Sequence, residues 1–249
     1  YQYLQTLAEI KPSRRAPYLF MNLLEGGKHA GNGLTFQEYL IAPQVENAKE
    51  AVEIGIKIQN ALKEIIVKNL GEESVVLGDE GGFALKISDI KKPLVFLTEA
   101  IKQNNLQDKV RLAIDVAASS FYKNGFYKIA GQNVSGEELR NIYNSLIIEF
   151  NLFSIEDPFE EEDFESFARL CSSSFGEARK ILVVGDDLTV TNKMLLQKAI
   201  DQKSISAIII KPNQIGTLSE TLEVMKLARE NKIELIVSHR GEETTDDFI

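Results

Sequence analysis

The sequence predicts an α/β fold, a (β/α) barrel that begins with two strands and two helices and continues as alternating strand and helix units. Five short apolar runs rich in β-branched residues each end in charged or ionisable side chains, and helix-like segments separate them. These runs are RLAID, LFSIED, ILVVGDD, AIIIK and ELIVSHR, which end at Asp115, Glu156 with Asp157, Asp186 with Asp187, Lys211, and His239 with Arg240. Because the parallel strands of a barrel point their C-terminal ends at one mouth, these side chains are expected to meet there.

Composition favours one soluble domain. The 249 residues fit a single barrel, and 44% of them are hydrophobic, which is enough for a sizeable core. The net charge of −9 and the pI near 5.0 argue against a broad basic face for nucleic acid or anionic membrane. The single cysteine, Cys171, leaves no intrachain disulfide. Because the sequence also lacks an apolar segment of membrane-spanning length and a secretory signal pattern, we expect a cytoplasmic location.

The opening of the chain differs from a strand–helix unit. Residues 1–17 form a short amphipathic segment that ends at two prolines, and we assign residues 18–249 to the barrel. Two apolar runs, Tyr18 to Leu24 and Phe36 to Ala42, flank a glycine-rich loop and predict a hairpin with a long connection. Helical spacing of apolar residues follows over 45–70, and a second helix is predicted near 87–104. The early order is therefore strand, strand, helix, helix.

Regular alternation is predicted after the strand RLAID. An aromatic segment, FYKNGFYKI, forms a small insertion after this strand. Ser135 and Glu138 then predict a capping box at the start of a helix. Strands ending at Asp157, Asp187 and Lys211 alternate with helices through about 170, over 195–200 and over 218–228. A last strand is predicted to end at residue 240.

Three carboxylates at strand ends predict a metal site. Asp115, Glu156 and Asp186 would repel one another if they lay close together without a cation. A hard divalent ion resolves this repulsion, and Mg²⁺ is suited to a few carboxylates supplemented by water and substrate oxygens. The alternative is that each carboxylate caps the following helix or pairs with a lysine.

Two strand ends supply basic side chains. Lys211 ends a wholly apolar run, where burial and a nearby cation would favour the neutral amine that a general base requires. A salt bridge to Asp186 or Asp187 is the alternative interpretation. Arg240 can bind a phosphate or carboxylate through two parallel hydrogen bonds, whereas a lone strand-end histidine such as His239 is often structural.

The glycine-rich loops give weaker signals. Glu80 lies in the string GDEGGFA, where glycines let the backbone approach a ligand, although an ordinary surface turn has the same composition. His29 lies in GGKHAGN, which lacks the spacing of a Walker loop. Glu38 opens the second strand and has a simple solvent-facing interpretation.

Taken together, these motifs resemble the enolase family of phosphopyruvate hydratases. The motifs, in chain order, are NLLEGGKHAGNGLTFQEYLIAP, GDEGGFA, LAIDVAASSFY, SIEDPF, VVGDDLTVTN, IIIKPNQIGTLSET and VSHR. The resemblance extends from about Pro17 to Ile249. It implies a barrel that begins β-β-α-α, which agrees with the order of elements predicted above.

The resemblance also implies residue roles. Asp115, Glu156 and Asp186 match the ligands of a tightly held Mg²⁺. Lys211 matches the base that removes the C2 proton of 2-phosphoglycerate, and Glu80 matches the acid that helps expel the C3 hydroxyl. The substrate-binding positions match His29, Glu38, His239 and Arg240. A lysine base working with one or two Mg²⁺ ions is an established pattern of this superfamily. The implied reaction forms phosphoenolpyruvate in glycolysis and gluconeogenesis, and the full-length form is expected to be a homo-oligomer.

Several positions depart from the family pattern. Gly241 replaces a serine that contacts the substrate phosphate, and Glu242 replaces a glycine, which adds negative charge beside that site. Ser120 stands where glutamate is usual, and Lys28 where serine is common. The sequence also lacks the family's N-terminal domain, its last barrel strand and helix, and a substrate-binding lysine. We therefore expect low or no dehydratase activity from this chain alone.

Two other functions remain open at this point. Another enzyme of the superfamily, such as a racemase or cycloisomerase, would share the metal carboxylates but would lack GGKHAGN and GDEGGFA. A non-catalytic binding or scaffold protein that retains the family sequence is the second alternative, and Gly241 and Glu242 favour it.

Overall fold

The computed structural model describes Thr6, residues 16–173 and residues 181–238. His239, Arg240, Gly241 and Glu242, and most of the predicted N-terminal segment, lie outside these residues. Within the described ranges, no helix has both the length and the apolar character needed to cross a membrane.

A curled sheet forms one half of a barrel, with strand order β1-β2-β3-β7-β8-β9-β10. Its strands are β1 Met21–Glu25, β2 Glu38–Pro43, β3 Val110–Asp115, β7 Ser154–Glu156, β8 Leu182–Gly185, β9 Ala207–Ile210 and β10 Glu234–Val237. Strands β1, β2 and β3 pair antiparallel, and the pairs from β3 to β10 are parallel. Within the described residues β1 and β10 each have one neighbouring strand, so the sheet does not close. This arrangement confirms the predicted fold class.

Long helices pack against this sheet, and two one-turn helices lie in its connecting loops. In chain order they are α1 Gly27–Ala30, α2 Ala48–Leu70, α3 Lys92–Gln103, α4 Gly136–Phe150, α5 Phe164–Ser173, α6 Lys193–Asp201, α7 Pro212–Ile215 and α8 Leu218–Glu230. The predicted order of two strands followed by two long helices is therefore confirmed. The one-turn helix α7 was not predicted, because Pro212 at its start and Gly216 at its end leave too few residues for an apolar period.

The helix starts are set by local side-chain chemistry. The side-chain oxygen of Asn47 accepts from the amides of Lys49 and Glu50 at the start of α2. Ser135 and Glu138 form the predicted capping box at the start of α4, with the Ser135 amide 2.8 Å from Glu138 Oε2. The aromatic segment after β3 forms a small antiparallel sheet of strands β4 Tyr122–Lys123, β5 Phe126–Ile129 and β6 Gln132–Val134.

The main core lies between the sheet and the helices. Aromatic side chains within this core pack behind the ends of several strands. Phe36 stacks on Tyr39 and packs at a tilt against Tyr143. Tyr143 in turn contacts Phe159 edge to face. The hydroxyl of Tyr143 donates to the carbonyl of Pro158 at 2.6 Å, immediately after the end of β7. This packing fixes the strand ends from behind and leaves their polar side chains facing the barrel mouth.

Candidate metal centre and active site

Strand ends and two glycine-rich loops surround a cavity of about 1390 Å³ at the mouth of the half-barrel. Nine carboxylates and two amines line it among the described residues. The carboxylates belong to Glu38, Glu80, Asp115, Glu156, Asp157, Glu161, Asp186, Asp187 and Glu234, and the amines to Lys28 and Lys211. This excess of negative charge makes the cavity suitable for a cation.

Strand register brings three of the carboxylates side by side. Glu38 on β2 pairs with Asp115 on β3, and Asp115 pairs with Glu156 on β7. Side chains at paired positions of adjacent strands point to the same face of a sheet. Asp186, which follows β8, has an oxygen within 4.8 Å of oxygens of Glu156 and Asp157. The structure therefore gathers Asp115, Glu156 and Asp186 at one mouth, as the sequence predicted.

Asp157 is an additional carboxylate in this cluster. Its two oxygens accept the backbone amides of Asp186 at 3.0 Å and Asp187 at 2.7 Å. Its backbone adopts the left-handed region with φ of 39°, so the side chain turns from the end of β7 towards the end of β8. The closest set of three carboxylates is thus Glu156, Asp157 and Asp186, but Asp157 is already used to join two strand ends.

Asp115 is held by hydrogen bonds on both oxygens. Gln37 donates its side-chain amide to Oδ2 at 3.0 Å, and the backbone amide of Ala117 donates to Oδ1 at 3.0 Å. Burial, reinforced by the nearby charge of Asp186, nevertheless raises the pKa of Asp115 from 3.8 to about 7. In the metal-free protein the ionised form of Asp115 is therefore unfavourable, and the carboxyl is only partly ionised near neutral pH.

The neighbouring carboxyls show the same effect. Burial raises the pKa values of Glu156 and Asp157 well above their usual range, and the charge of Asp115 adds to both shifts. Such a cluster is unfavourable without a cation, and its oxygen donors suit a hard divalent ion. The residues present therefore fit a divalent metal ion.

Lys211 and Gln214 complete the polar surface next to Asp186. The amine of Lys211 forms an ion pair with Asp186 Oδ2, and the Gln214 side-chain amide donates to Asp186 Oδ1 at 2.9 Å. The hydroxyl of Thr191 donates to Gln214 Oε1 at 2.8 Å and accepts the Lys211 backbone amide at 2.9 Å. Because the hydroxyl proton points at Oε1, the amide group of Gln214 is directed at Asp186.

Removing the Thr191 hydroxyl is expected to disturb this arrangement. A Thr191→Val change keeps the side-chain shape but leaves the Lys211 amide and Gln214 Oε1 without this partner. The free energy of unfolding should fall by about 1–3 kcal/mol. Mg²⁺ affinity should fall about tenfold, since Asp186 loses support behind a metal ligand. Denaturant unfolding and calorimetric titration measure these effects, with Thr191→Ser as the hydroxyl-retaining control. Equal behaviour of the two variants would contradict this role for the hydroxyl.

Glu38 and Glu80 form a pair at the other side of the mouth. Glu80 lies on the loop 78–83, and its carboxyl is hydrogen-bonded to that of Glu38. Asn22 also donates its side-chain amide to Glu80 Oε2 at 3.4 Å. Burial raises the pKa of Glu38 well above its usual range, and the charges of Asp115 and Glu80 add to the shift. A shared proton between these carboxyls makes Glu80 a suitable acid.

Three predicted substrate-binding residues lie partly or wholly outside the described atoms. The backbone of His29 belongs to α1, and its side chain lies outside the described atoms. His239 and Arg240 follow β10 and lie beyond the described residues. Their roles stay predictions.

Sequence reasoning missed several residues of the site. Gln37 precedes a predicted site residue, and Gln214 follows Lys211 by three positions, which places it in the first turn of α7. Thr191 is fully buried in the loop after β8 and gave no separate signal. A polar residue within one helical turn of a strand-end base is the signal that would have identified Gln214.

Comparison with known proteins gives a consistent family match. The family described as "Enolase, C-terminal TIM barrel domain" matches residues 14–249. Proteins named enolase from Methanocaldococcus jannaschii and Methanococcus aeolicus are 44% and 41% identical over 94% of this chain. Enolase from Methanopyrus kandleri is 40% identical over 95% of it. The aligned regions cover 54%, 55% and 56% of these relatives, so the chain spans about half their length.

Proposed function

Because this chain belongs to the enolase family, we propose that it carries the catalytic barrel of a lyase that dehydrates 2-phosphoglycerate to phosphoenolpyruvate. The supporting observation is that an amine and a paired carboxyl lie on the same cavity. Lys211 contacts the carboxylate cluster from the end of β9, whereas Glu80 and Glu38 approach from the side of β2. A base and an acid placed on different sides of one mouth are suited to removing a proton and a hydroxyl from adjacent carbons.

The first chemical step is proton removal. Lys211 in its neutral form accepts the C2 proton, and the electron pair of the broken bond moves into the substrate carboxylate. A carbon next to an ionised carboxylate is a very weak acid, so the negative charge that develops needs stabilisation. Mg²⁺ held by Asp115, Glu156 and Asp186 would supply positive charge for this purpose.

The second step is loss of the hydroxyl. The electron pair returns to form the C2–C3 double bond as the C3–O bond breaks. The proton held in the hydrogen-bonded pair of Glu38 and Glu80 passes through Glu80 to the departing oxygen, which leaves as water. The amide of Gln37 holds Asp115 in place during both steps. We assign substrate contacts to His29, Glu38, His239 and Arg240, with Arg240 at the phosphate.

Ligand-dependent stabilisation tests this proposal without relying on turnover. The melting temperature is measured with Mg²⁺, with phosphonoacetohydroxamate as a mimic of the intermediate, and with both together. The proposal predicts a rise of several degrees that requires both ligands, since binding to the folded state alone stabilises it. A folded chain that shows no such rise would instead support a non-catalytic binding or scaffold role.

A turnover assay provides the second test. Absorbance of phosphoenolpyruvate is followed with excess Mg²⁺, both for the 249-residue chain and for the longest polypeptide that the gene encodes. We expect turnover from the longer polypeptide and little from the chain alone. Absence of turnover from both would overturn the proposed reaction. The same preparations would show by light scattering whether the longer form is a homo-oligomer.

A further inference from the structure

Glu25 is a fully buried carboxylate at the end of β1, below the loop that carries Glu80. Its Oε1 accepts the amide of Gly82 at 2.5 Å and the amide of Glu80 at 3.2 Å. The side chain of a buried strand residue thus reaches across to the backbone of Glu80 itself.

The backbone of the same strand holds the far end of this loop. The Glu25 amide donates to the Phe83 carbonyl at 3.0 Å, and the Phe83 amide donates to the Leu23 carbonyl at 2.9 Å. The loop 78–83 is closed by the Gly78 amide, which donates to the Gly82 carbonyl at 2.9 Å. Glu25 therefore anchors the loop by its main chain at Phe83 and by its carboxylate at Gly82 and Glu80.

The glycines of the loop show how closely it surrounds the carboxylate. A Cβ atom on Gly78 would lie 2.1 Å from Glu25 Oε2, and one on Gly82 would lie 2.6 Å from Glu25 Cγ. Both distances are shorter than ordinary Cβ contacts, so a side chain at either position would displace the Glu25 side chain from its place. The close fit of Gly78 and Gly82 to Glu25 indicates that this carboxylate sets the conformation of the loop 78–83.

Glu80, by contrast, has an exposed side chain whose direction depends on its backbone. Its carboxyl reaches Glu38 and the amide of Asn22, and both contacts require the loop to stay in position. We propose that Glu25 is a positioning residue, which fixes the loop 78–83 and thereby directs Glu80 at Glu38 and at the leaving group. This inference rests on the proposed dehydration.

Amide hydrogen exchange tests the anchoring directly and needs no activity. In a Glu25→Met variant, which removes the acceptor but keeps the chain length, exchange at the Glu80 and Gly82 amides should quicken about 10- to 100-fold. The Gly26 amide, which donates to the Gln37 carbonyl at 2.9 Å, should keep its rate. Glu50→Gln, at an exposed glutamate, is the matched control. Unchanged rates at Glu80 and Gly82 in a folded variant would overturn the proposal.

Separate measurement of the two chemical steps tests positioning against a general structural role. Exchange of the C2 hydrogen with D₂O reports Lys211, whereas phosphoenolpyruvate formation also needs Glu80. With the longest encoded polypeptide, Glu25→Met should lower dehydration about 100-fold, the loss expected from a misplacement near 1 Å. C2 exchange should stay within about threefold of wild type, because the positioning concerns the second step only.

The remaining outcomes are also decisive. Glu25→Gln retains one acceptor oxygen and should recover most of the dehydration rate. Glu25→Ala, which also removes the acceptor, replaces the methionine variant if that variant does not fold. A parallel fall of both steps, or no fall in either, would overturn the positioning role. If the wild type performs neither step, the proposed function fails, and hydrogen exchange still decides whether Glu25 anchors the loop.

Discussion

A Lys211→Met variant is expected to lose about 10⁴-fold in turnover, the upper range for removal of a general acid or base. The reason is that the Lys211 amine is the basic group in contact with the carboxylate cluster, through its ion pair with Asp186. Exchange of the C2 hydrogen with solvent should be lost along with dehydration. Mg²⁺ affinity should stay unchanged or rise, because Asp186 no longer shares its charge with an amine.

Lys193→Met is the matched control for this prediction. Lys193 pairs with Glu223 on the surface, with 57% of its side chain exposed, and it does not line the cavity at the mouth. This control should keep wild-type turnover, since exposed ion pairs contribute little. A Lys211→Met protein with turnover within tenfold of wild type would show that another group removes the proton.

Neutralising Asp115 is expected to weaken Mg²⁺ binding much more than neutralising Asp157. A pKa of about 7 instead of 3.8 corresponds to a penalty of about 4 kcal/mol for keeping Asp115 charged in the metal-free protein. Removing this charge in Asp115→Asn should therefore stabilise the metal-free protein above pH 7 by up to about 4 kcal/mol. About 1–3 kcal/mol is lost from this gain, because the amide NH₂ cannot accept the hydrogen bond from Gln37 or Ala117. Asp115→Asn should also weaken Mg²⁺ binding by at least about 100-fold. Loss of a residue that only supports a metal ligand costs about 10- to 100-fold, and loss of a ligand itself should cost more.

The pH dependence of this effect has a definite sign. A carboxyl whose pKa is raised on folding binds a proton more readily in the folded state, so stability falls as pH rises from about 4 through about 7. The difference between Asp115→Asn and wild type should thus be large at pH 8 and vanish near pH 4. Saturating Mg²⁺ should reverse the order of stability, because only the wild type binds the ion tightly.

Asp157→Asn should behave differently, since Asp157 joins the amides of Asp186 and Asp187 to the end of β7. Asparagine keeps one acceptor oxygen, so one of these two hydrogen bonds is lost and the other is weakened, and Mg²⁺ affinity should fall by no more than about tenfold. Asparagine tolerates the left-handed backbone at this position, so the variant should fold. Loss of metal binding in Asp157→Asn together with retention in Asp115→Asn would assign the ion to the other set of carboxylates.

Much of this fold could be predicted because each strand carries its own signal. The apolar run before Lys211 and the carboxylates after ILVVG identify strand ends without any tertiary information. Parallel topology then dictates that these ends meet. The antiparallel β1–β2 hairpin was also predicted, from the first two apolar runs. The register that sets Glu38 beside Asp115 belongs to the pairing of β2 with β3, which the hairpin does not determine.

The supporting residues could not be predicted, because their roles depend on contacts between distant segments. Glu25 lies 57 positions from the Gly82 amide that it holds, and no pattern near it in the sequence indicates that contact. Asp157 was expected inside a strand, but β7 ends at Glu156 and the left-handed turn redirects the next carboxylate. Local sequence does not show which of two adjacent acids turns in this way.

Anomalous diffraction from a crystal soaked in Mn²⁺, used in place of Mg²⁺, locates the metal ion directly. The proposed ligand set predicts one strong peak among the carboxylates of Asp115, Glu156 and Asp186, close to the Lys211 amine. A peak bound by Asp157 without Asp115, or no peak at saturating Mn²⁺, would contradict it.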